Sequence, residues 1–395
     1  MHDLNDPSTP RFWLWSALPL VLVGVALALF FSFDPMSALT GDQPPVQNLS
    51  IERVELDDDG FTVDVVNAAP EPVTISQVQV DEAYWSFDIR PDSTLGRLEE
   101  ATIQIPYPWV HGELHEIRLL TDVGMTFSHT VEVATATPQP TPTRWGLFAL
   151  LGAFIGVIPV GLGLLWFPVL QSLTTRTMNF VLALTLGLLI FLFFDTLLEG
   201  IEIAEHVPGV FQALPLVFLV GLMSYLVLTA AGRWGGRTDR STASGRSWIA
   251  TAIALGIGLH NLGEGMAVGA AIAAGEAALG SFLVVGFVLH NLTEGIGIGA
   301  PMADDDPGWP RLGWLTLLGG GPAILGTWMG GFHYSPFWAA LFFAVGAGAI
   351  LQVIVEVGRL LVDRADDTEM VFTSWVNLGG VTAGLAIMYA TALLV

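Results

Sequence analysis

The chain contains no cysteine and no lysine. The first absence excludes disulfides and thiolate metal sites, so any metal here must be held by nitrogen and oxygen ligands. The second leaves arginine as the whole basic complement: 14 Lys+Arg, every one an Arg, against 37 Asp+Glu, for a formal charge of −23 over 395 residues. Such a surface argues against nucleic-acid binding, which needs a basic patch. It fits adaptation to very high salt, where repulsion between like charges is screened, although an acidic ectodomain accounts for part of the charge. Two motifs are missing as well. Without GxxxxGK[ST], ATP-driven pumping by this chain alone has no support, and without HExxH a zinc hydrolase of that type has none. What the chain has in excess is apolar residues, 52 % of the total with a mean hydropathy of +0.62, which marks a polytopic membrane protein rather than a soluble globule.

Four regions follow in order. Phe12 to Phe33 is one apolar run inside an N-terminal segment of residues 1–34; it is longer than the apolar core of a signal peptide and no A-x-A cleavage site follows it, so it reads as a retained anchor, with Arg11 placing its start in the cytoplasm. Residues 45–136 are polar and acidic. They hold six or seven short strand patterns (IERVEL, FTVDVVN, VTISQVQV, ATIQIPY, HEIRLLTD, TFSHTVEVA) separated by turn residues, which predicts a small β-sandwich of immunoglobulin-like type. Its His111, His115 and His129 read as scattered surface histidines. Residues 137–143 form a Pro/Thr linker, extended and semi-rigid. Residues 144–395 read as eight membrane spans, near 145–167, 179–201, 209–231, 248–273, 280–301, 311–331, 336–362 and 371–394, making nine with the anchor. Arg233, Arg237, Arg240 and Arg246 crowd the 232–247 loop, whereas the loops on the opposite side hold no Arg. The positive-inside rule then puts the β-domain and C-terminus outside the cytoplasm.

The chemistry concentrates in a doubled phrase: LHNLGEGMAVGA (Leu259 to Ala270) and, thirty residues on, LHNLTEGIGIGA (Leu289 to Ala300). In each copy His and Glu are at i and i+4, so on a helix His260 lies over Glu264 and His290 over Glu294, with Asn261 and Asn291 turned partly sideways. Ionisable groups at mid-membrane cost several kcal/mol and persist when paired, hydrated or liganded. Imidazole, carboxylate and amide oxygen together suit a divalent transition metal, so the candidate ligands are His260, Asn261, Glu264, His290, Asn291 and Glu294. A bland alternative is a pair of interhelical hydrogen-bond clamps, which would not need two carboxylates.

Two further i, i+4 pairs lie in apolar helices. Asp195 and Glu199 read as an acidic vestibule leading to the site; Glu202, Glu205 and His206 beyond them fit a solvated helix end equally well. Gln352 and Glu356 are pathway or gating candidates, with an ion pair between Glu356 and Arg359 as the rival reading. Asp304, Asp305 and Asp306 read as a solvated turn.

Eight spans with HN-x-x-EG in the fourth and fifth resemble the ZIP (Zrt-, Irt-like protein) family of divalent metal transporters, over roughly residues 145 to 395. The resemblance implies an eight-helix transport bundle, here with an added anchor and β-sandwich. It also implies a non-enzymatic protein that carries Zn²⁺, or Mn²⁺, Fe²⁺ or Cd²⁺, toward the cytoplasm. The first-site ligands would be His260, Glu264, His290 and Glu294, with Asn261 and Asn291 in a second site bridged by the two glutamates. Asp195 and Glu199 fall where many members have His-x-x-x-Glu. There are departures: Gly263 and Thr293 replace the motif's proline, so glycine flexibility is expected in place of a kink, and Gly321-Pro322 replaces a Glu-Pro pair, which weakens the second site. The expected partners are divalent ions and the lipid bilayer, no nucleic acid, with a homodimer among the compatible assemblies. A membrane-embedded zinc-dependent hydrolase and a metal sensor are the competing readings.

Overall fold

The computed structural model describes residues 10–33, 46–234, 242–363 and 374–393. Helix α1 (Pro10–Phe33) forms a unit of its own, and its large apolar side chains, Trp13, Leu20 and Phe33 among them, are exposed along its length.

The β-region contains all six expected strands and three short ones between them. They are β1 (Leu49–Asp57), β2 (Gly60–Asn67), β3 (Val73–Val80), β4 (Ala83–Trp85), β5 (Asp88–Arg90), β6 (Thr94–Leu95), β7 (Glu100–Ile105), β8 (His115–Thr121) and β9 (Thr126–Val131). Two antiparallel sheets result, β1-β2-β7-β5 and β4-β3-β8-β9 with β6 on β3. The period-2 pattern sends Phe61, Val63 and Val65 of β2 and Ile103 and Ile105 of β7 to one inner face, and Val78, Ile117 and Leu119 to the other, where they form one core.

His115 is not a surface histidine. It is buried at 3 % exposure, stacked edge-on against Tyr107, with Nδ1 at 2.7 Å from the Asp81 carboxylate. It opens β8 on the inward register of HEIRLLT, so the alternation that buries Ile117 and Leu119 buries it too. Burial alone would raise the Asp81 carboxyl, yet hydrogen bonds from His115, the Glu116 amide and the Tyr107 hydroxyl hold it below its ordinary 3.8. A depressed carboxylate stabilises the fold above its unfolded value and loses that contribution as pH falls through the folded one. Thermal unfolding of the β-domain should therefore shift down between pH 7 and pH 3. Asp81→Asn should lower the pH 7 midpoint and shrink the acid-side shift.

The helical region runs α2 (Pro142–Gly152), a π turn (Ala153–Val157), α3 (Ile158–Leu164), α4 (Phe167–Gln171), α5 (Thr175–Glu205), α6 (Ala213–Trp234), α7 (Ala243–Ala273), α8 (Ala277–Gly299), α9 (Trp309–Gly320), α10 (Pro322–His333), α11 (Pro336–Asp363) and α12 (Trp375–Ala392). Among the described residues, six helical segments are long and apolar enough to cross a membrane: Trp13–Phe30, Pro142–Gln171, Thr175–Glu205, Gly209–Gly232, Leu279–Met302 and Pro336–Asp363. The protein is thus mainly helical and membrane-embedded, with a small antiparallel β-region. Three expected spans differ in kind. The one near 248–273 is α7, rich in small residues and carrying the first polar motif; that near 311–331 is two helices meeting at Gly321-Pro322; and the last is α12. Arg237 and Arg240, which carried much of the sidedness reading, lie outside the described residues.

The bundle divides into two sets. α7 packs on α10, with α2, α3, α8 and α9 joined to them; α5, α6, α11 and α12 pack on one another. Glycines let backbones touch inside each set: Gly326 meets Leu262 O between α10 and α7, and Gly384 meets Leu184 O between α12 and α5, with no room for a Cβ at either. Across the seam α7 also packs on α11: a Cβ on Gly346 would lie 3.4 Å from His260 N and one on Gly256 3.3 Å from Val353, while Phe343 faces Gly263 and Thr185 faces Gly297.

At the end away from the β-domain, Asp305 is not a solvated turn residue. Arg246, in the first turn of α7, grips it with Nη2 at 2.5 Å and Nε at 2.9 Å, both side chains largely buried. The Gln171 amide donates to the Asp305 carbonyl at 2.7 Å, tying α4 to the same point.

Candidate metal centre

The two copies of the motif meet across α7 and α8, and all six candidate ligands are buried, none more than 8 % exposed. Glu264 is the hub. Its Oε1 accepts from His260 Nε2 at 3.0 Å and from His290 Nε2, and its Oε2 accepts from Asn291 Nδ2 at 3.0 Å. His260 Nδ1 lies 2.8 Å from Thr196 Oγ1 of α5. A hydroxyl both donates and accepts, so Thr196 supports His260 whichever ring nitrogen carries the proton. That leaves Nε2 free to give up its proton to a ligand without losing the contact that fixes the ring.

The asparagines are held by irregularities in neighbouring helices. Pro159 has no N–H to offer the Ile155 carbonyl four residues earlier, and Asn291 Nδ2 supplies the missing donor at 2.8 Å. Asn261 Nδ2 donates to Gly319 O at 3.0 Å, beside the α9–α10 junction where Pro322 interrupts the helix ladder. With both NH₂ groups committed to carbonyls, both Oδ1 atoms point elsewhere. Asn261 Oδ1, Asn291 Oδ1 and both Glu294 carboxylate oxygens are buried without a hydrogen-bond partner. Orphaned buried acceptors are costly. Several such acceptors on the two motif turns suit a cation. His260, His290 and Glu294 each offer a ligand atom within 4.8 Å of the others, and this group could hold a metal ion.

A cavity of about 200 Å³ opens from the cluster toward the β-domain. Asp195 and Glu199 line it together with His260, Glu264 and His290, on walls of Phe191, Phe287 and Phe343, which places both carboxylates beside the site as the spacing predicts. On the other side of Glu294 the space shrinks to about 10 Å³ among Leu188, Leu189, Leu192 and Ile257, too small to pass a hydrated ion. Glu202, Glu205 and His206 form an exposed helix end.

Two candidates stand apart. Glu356 pairs with Arg359 at 3.2 Å, the ion-pair reading, away from the metal group. Gln352 is buried with Oε1 unpartnered, and it is not among the residues that line the cavity. Gly263 also departs from expectation. α7 continues unbroken through it, and what it provides is space: a Cβ there would strike the Phe343 ring at 2.7 Å. The sequence reading missed Thr196 and Pro159. A polar residue next to Asp195 on a lipid-length helix was the available signal for the first; the second needs knowledge of which helix lies against Asn291. No protein-family model matches the chain, and no curated protein matches it.

Proposed function

We propose that the protein is a ZIP-like transporter of divalent metal ions, zinc foremost, that carries its cargo across the membrane from the β-domain side toward the cytoplasm. The observation that carries this reading is a fully buried His/Glu/Asn cluster with unpartnered oxygens, reached by a cavity that Asp195 and Glu199 line, while the space beyond Glu294 is about 10 Å³. Transport needs a site that binds and then releases. Mixed nitrogen and oxygen ligation without thiolate suits moderate affinity, and the hydrogen bonds converging on Glu264 offer an alternative set of partners when the metal departs.

In this reading a cation is drawn in by Asp195 and Glu199 and sheds water in the cavity. It then exchanges that water for His260, His290, Glu264 and Glu294, with the asparagine oxygens completing the shell. Release follows when the helix set holding the cluster shifts against α5, α6, α11 and α12 and the opening moves to the opposite end, the alternating access of secondary transporters. The tightest glycine contacts lie within each set, and those between α7 and α11 are looser, which supports such a movement.

Uptake into sealed vesicles tests the proposal. Wild type should accumulate Zn²⁺ and Cd²⁺ over empty vesicles. Asp195→Asn should raise the half-saturating concentration several-fold with a smaller effect on maximal rate, because it acts on approach and not on ligation. A folded, metal-binding wild type with no flux would reject transport in favour of a sensor.

A further inference from the structure

The β-sandwich is fastened to one set of bundle helices. The linker is the first tether, and it is not a free spacer. Thr137 N donates to Leu56 O at 2.8 Å, Thr137 Oγ1 accepts from Leu56 N at 2.9 Å, and Ala134 exchanges backbone hydrogen bonds with Gly112 and Glu113. After this pinned point the chain has four residues, two of them proline, before α2 begins behind its Thr141 cap. The second tether is Arg53, whose Nη2 donates to Phe332 O at the end of α10 at 2.7 Å while Glu55 steadies the guanidinium at 2.7 Å. Phe332 in turn packs on Trp145 and Phe148 of α2, with centroids 4.7 and 5.0 Å away. The third is the turn between α7 and α8, where Gly275, at φ +82°, lies so close to Val133 O and the Thr135 methyl that a Cβ would sit 3.0 Å from each. All three anchors belong to the helices that carry the cluster.

The other set meets the sandwich across open space. A chamber of about 710 Å³ separates Glu52, Arg53 and His129 from Glu199, Ile203 and His206 at the end of α5. Among the described residues, no hydrogen bond or ion pair joins the sandwich to α5, α6, α11 or α12. Glu52 Oε1 is buried without a partner on the chamber's sandwich side. The chamber shares Glu199, Ala267, Leu283 and Phe343 with the cavity above the cluster, so it is the approach to the site.

We propose that the β-sandwich is a moving roof over the cation entrance: it travels rigidly with the metal-carrying helices, and cations enter sideways through the chamber between its Glu52 and His129 face and the end of α5. Any shift of one helix set against the other then moves this roof past Glu199 and His206, so the width of the entrance and the accessibility of the cluster change in one motion. The gating half of this inference rests on the proposed alternating access; the rigid attachment does not.

Because the chain has no cysteine, spin labels can be placed at single introduced cysteines without background. Pairs would be Asp58 with Ala274 (sandwich to carrying set), Asp58 with Glu205 (sandwich to α5) and Ala274 with Glu205 (set to set), measured by pulsed dipolar spectroscopy on the full chain with chelator and with Zn²⁺. The Asp58–Ala274 distribution should be narrow and the same in both conditions, and the other two should shift together. Arg53→Ala should broaden Asp58–Ala274 while leaving Ala274–Glu205 unchanged. A broad or zinc-dependent Asp58–Ala274 distance in the Arg53-containing protein overturns the rigid roof. An Ala274–Glu205 distance that never shifts overturns the gating. Absence of flux in wild-type vesicles, with Asp58–Ala274 still narrow, would instead remove the transport reading and leave the attachment standing.

Discussion

Replacing Glu264 with alanine is expected to abolish metal binding and to destabilise the bundle by about 3–5 kcal/mol, the cost of removing one partner from a buried charged network. Glu264 accepts from His260, His290 and Asn291 together, so its loss strands three donors in the buried cluster. Glu264→Gln separates the two effects. It keeps the volume and one acceptor oxygen, so most of the stability should return while zinc affinity stays low, since a neutral amide is a poor ligand for a dication. Thermal unfolding in detergent reads the first quantity and competition with a chelating dye reads the second. If Glu264→Ala were as stable as wild type and still bound zinc, the hub role of Glu264 would be wrong.

Gly295→Val should be nearly as damaging, although residue 295 is no ligand. A Cβ on Gly295 would collide with Val160 O of α3, and one on Gly163 would collide with Leu292 O of α8, so the two helices cross glycine against glycine. A valine must push α8 away from α3, at about 3 kcal/mol or more, beyond the usual range for overpacking because backbone and not a side chain must yield. Glu294 is the preceding residue and Asn291 lies one turn back, bonded to Ile155 O beside that crossing. The displacement should therefore reach the cluster, and zinc affinity should fall at least tenfold. Gly146→Ala is the matched control: nothing lies within 4 Å of its Cβ position, and stability should change by no more than about 0.5 kcal/mol. Equal stability of the two variants would refute the close crossing.

The parts of the fold legible in the sequence were those with a strong period. Strict alternation gave the six main strands, and lipid-length apolar runs gave most of the bundle helices. The i, i+4 spacing put His260 over Glu264, and Asp195 and Glu199 on one wall of the cavity. What sequence spacing could not carry was the identity of neighbours. The pairing of Arg246 with Asp305 spans 59 residues, and its two members look like an ordinary loop arginine and an ordinary acidic turn. His115 looks like a surface residue because the partner that holds it, Asp81, is 34 positions away in the turn between β3 and β4. The linker's Pro/Thr composition predicts an extended, semi-rigid spacer, but its hydrogen bonds to Leu56 depend on tertiary contact. Gly263 suggests flexibility by its type, whereas its place in α7 leaves room for a phenylalanine 80 residues further along. Glycine in a helix has several physical uses, and only the facing helix decides among them.

The central claim is that the doubled motif holds a divalent metal between α7 and α8. Anomalous diffraction at the zinc edge, on crystals of the full chain grown with Zn²⁺, tests it most directly. A peak about 2 Å from His260 Nε2, His290 Nε2 and a Glu294 oxygen, lost in the Glu264→Ala, Glu294→Ala double variant, is the predicted result. A protein that binds zinc in solution but shows its anomalous peak elsewhere, with this cluster empty, would contradict it.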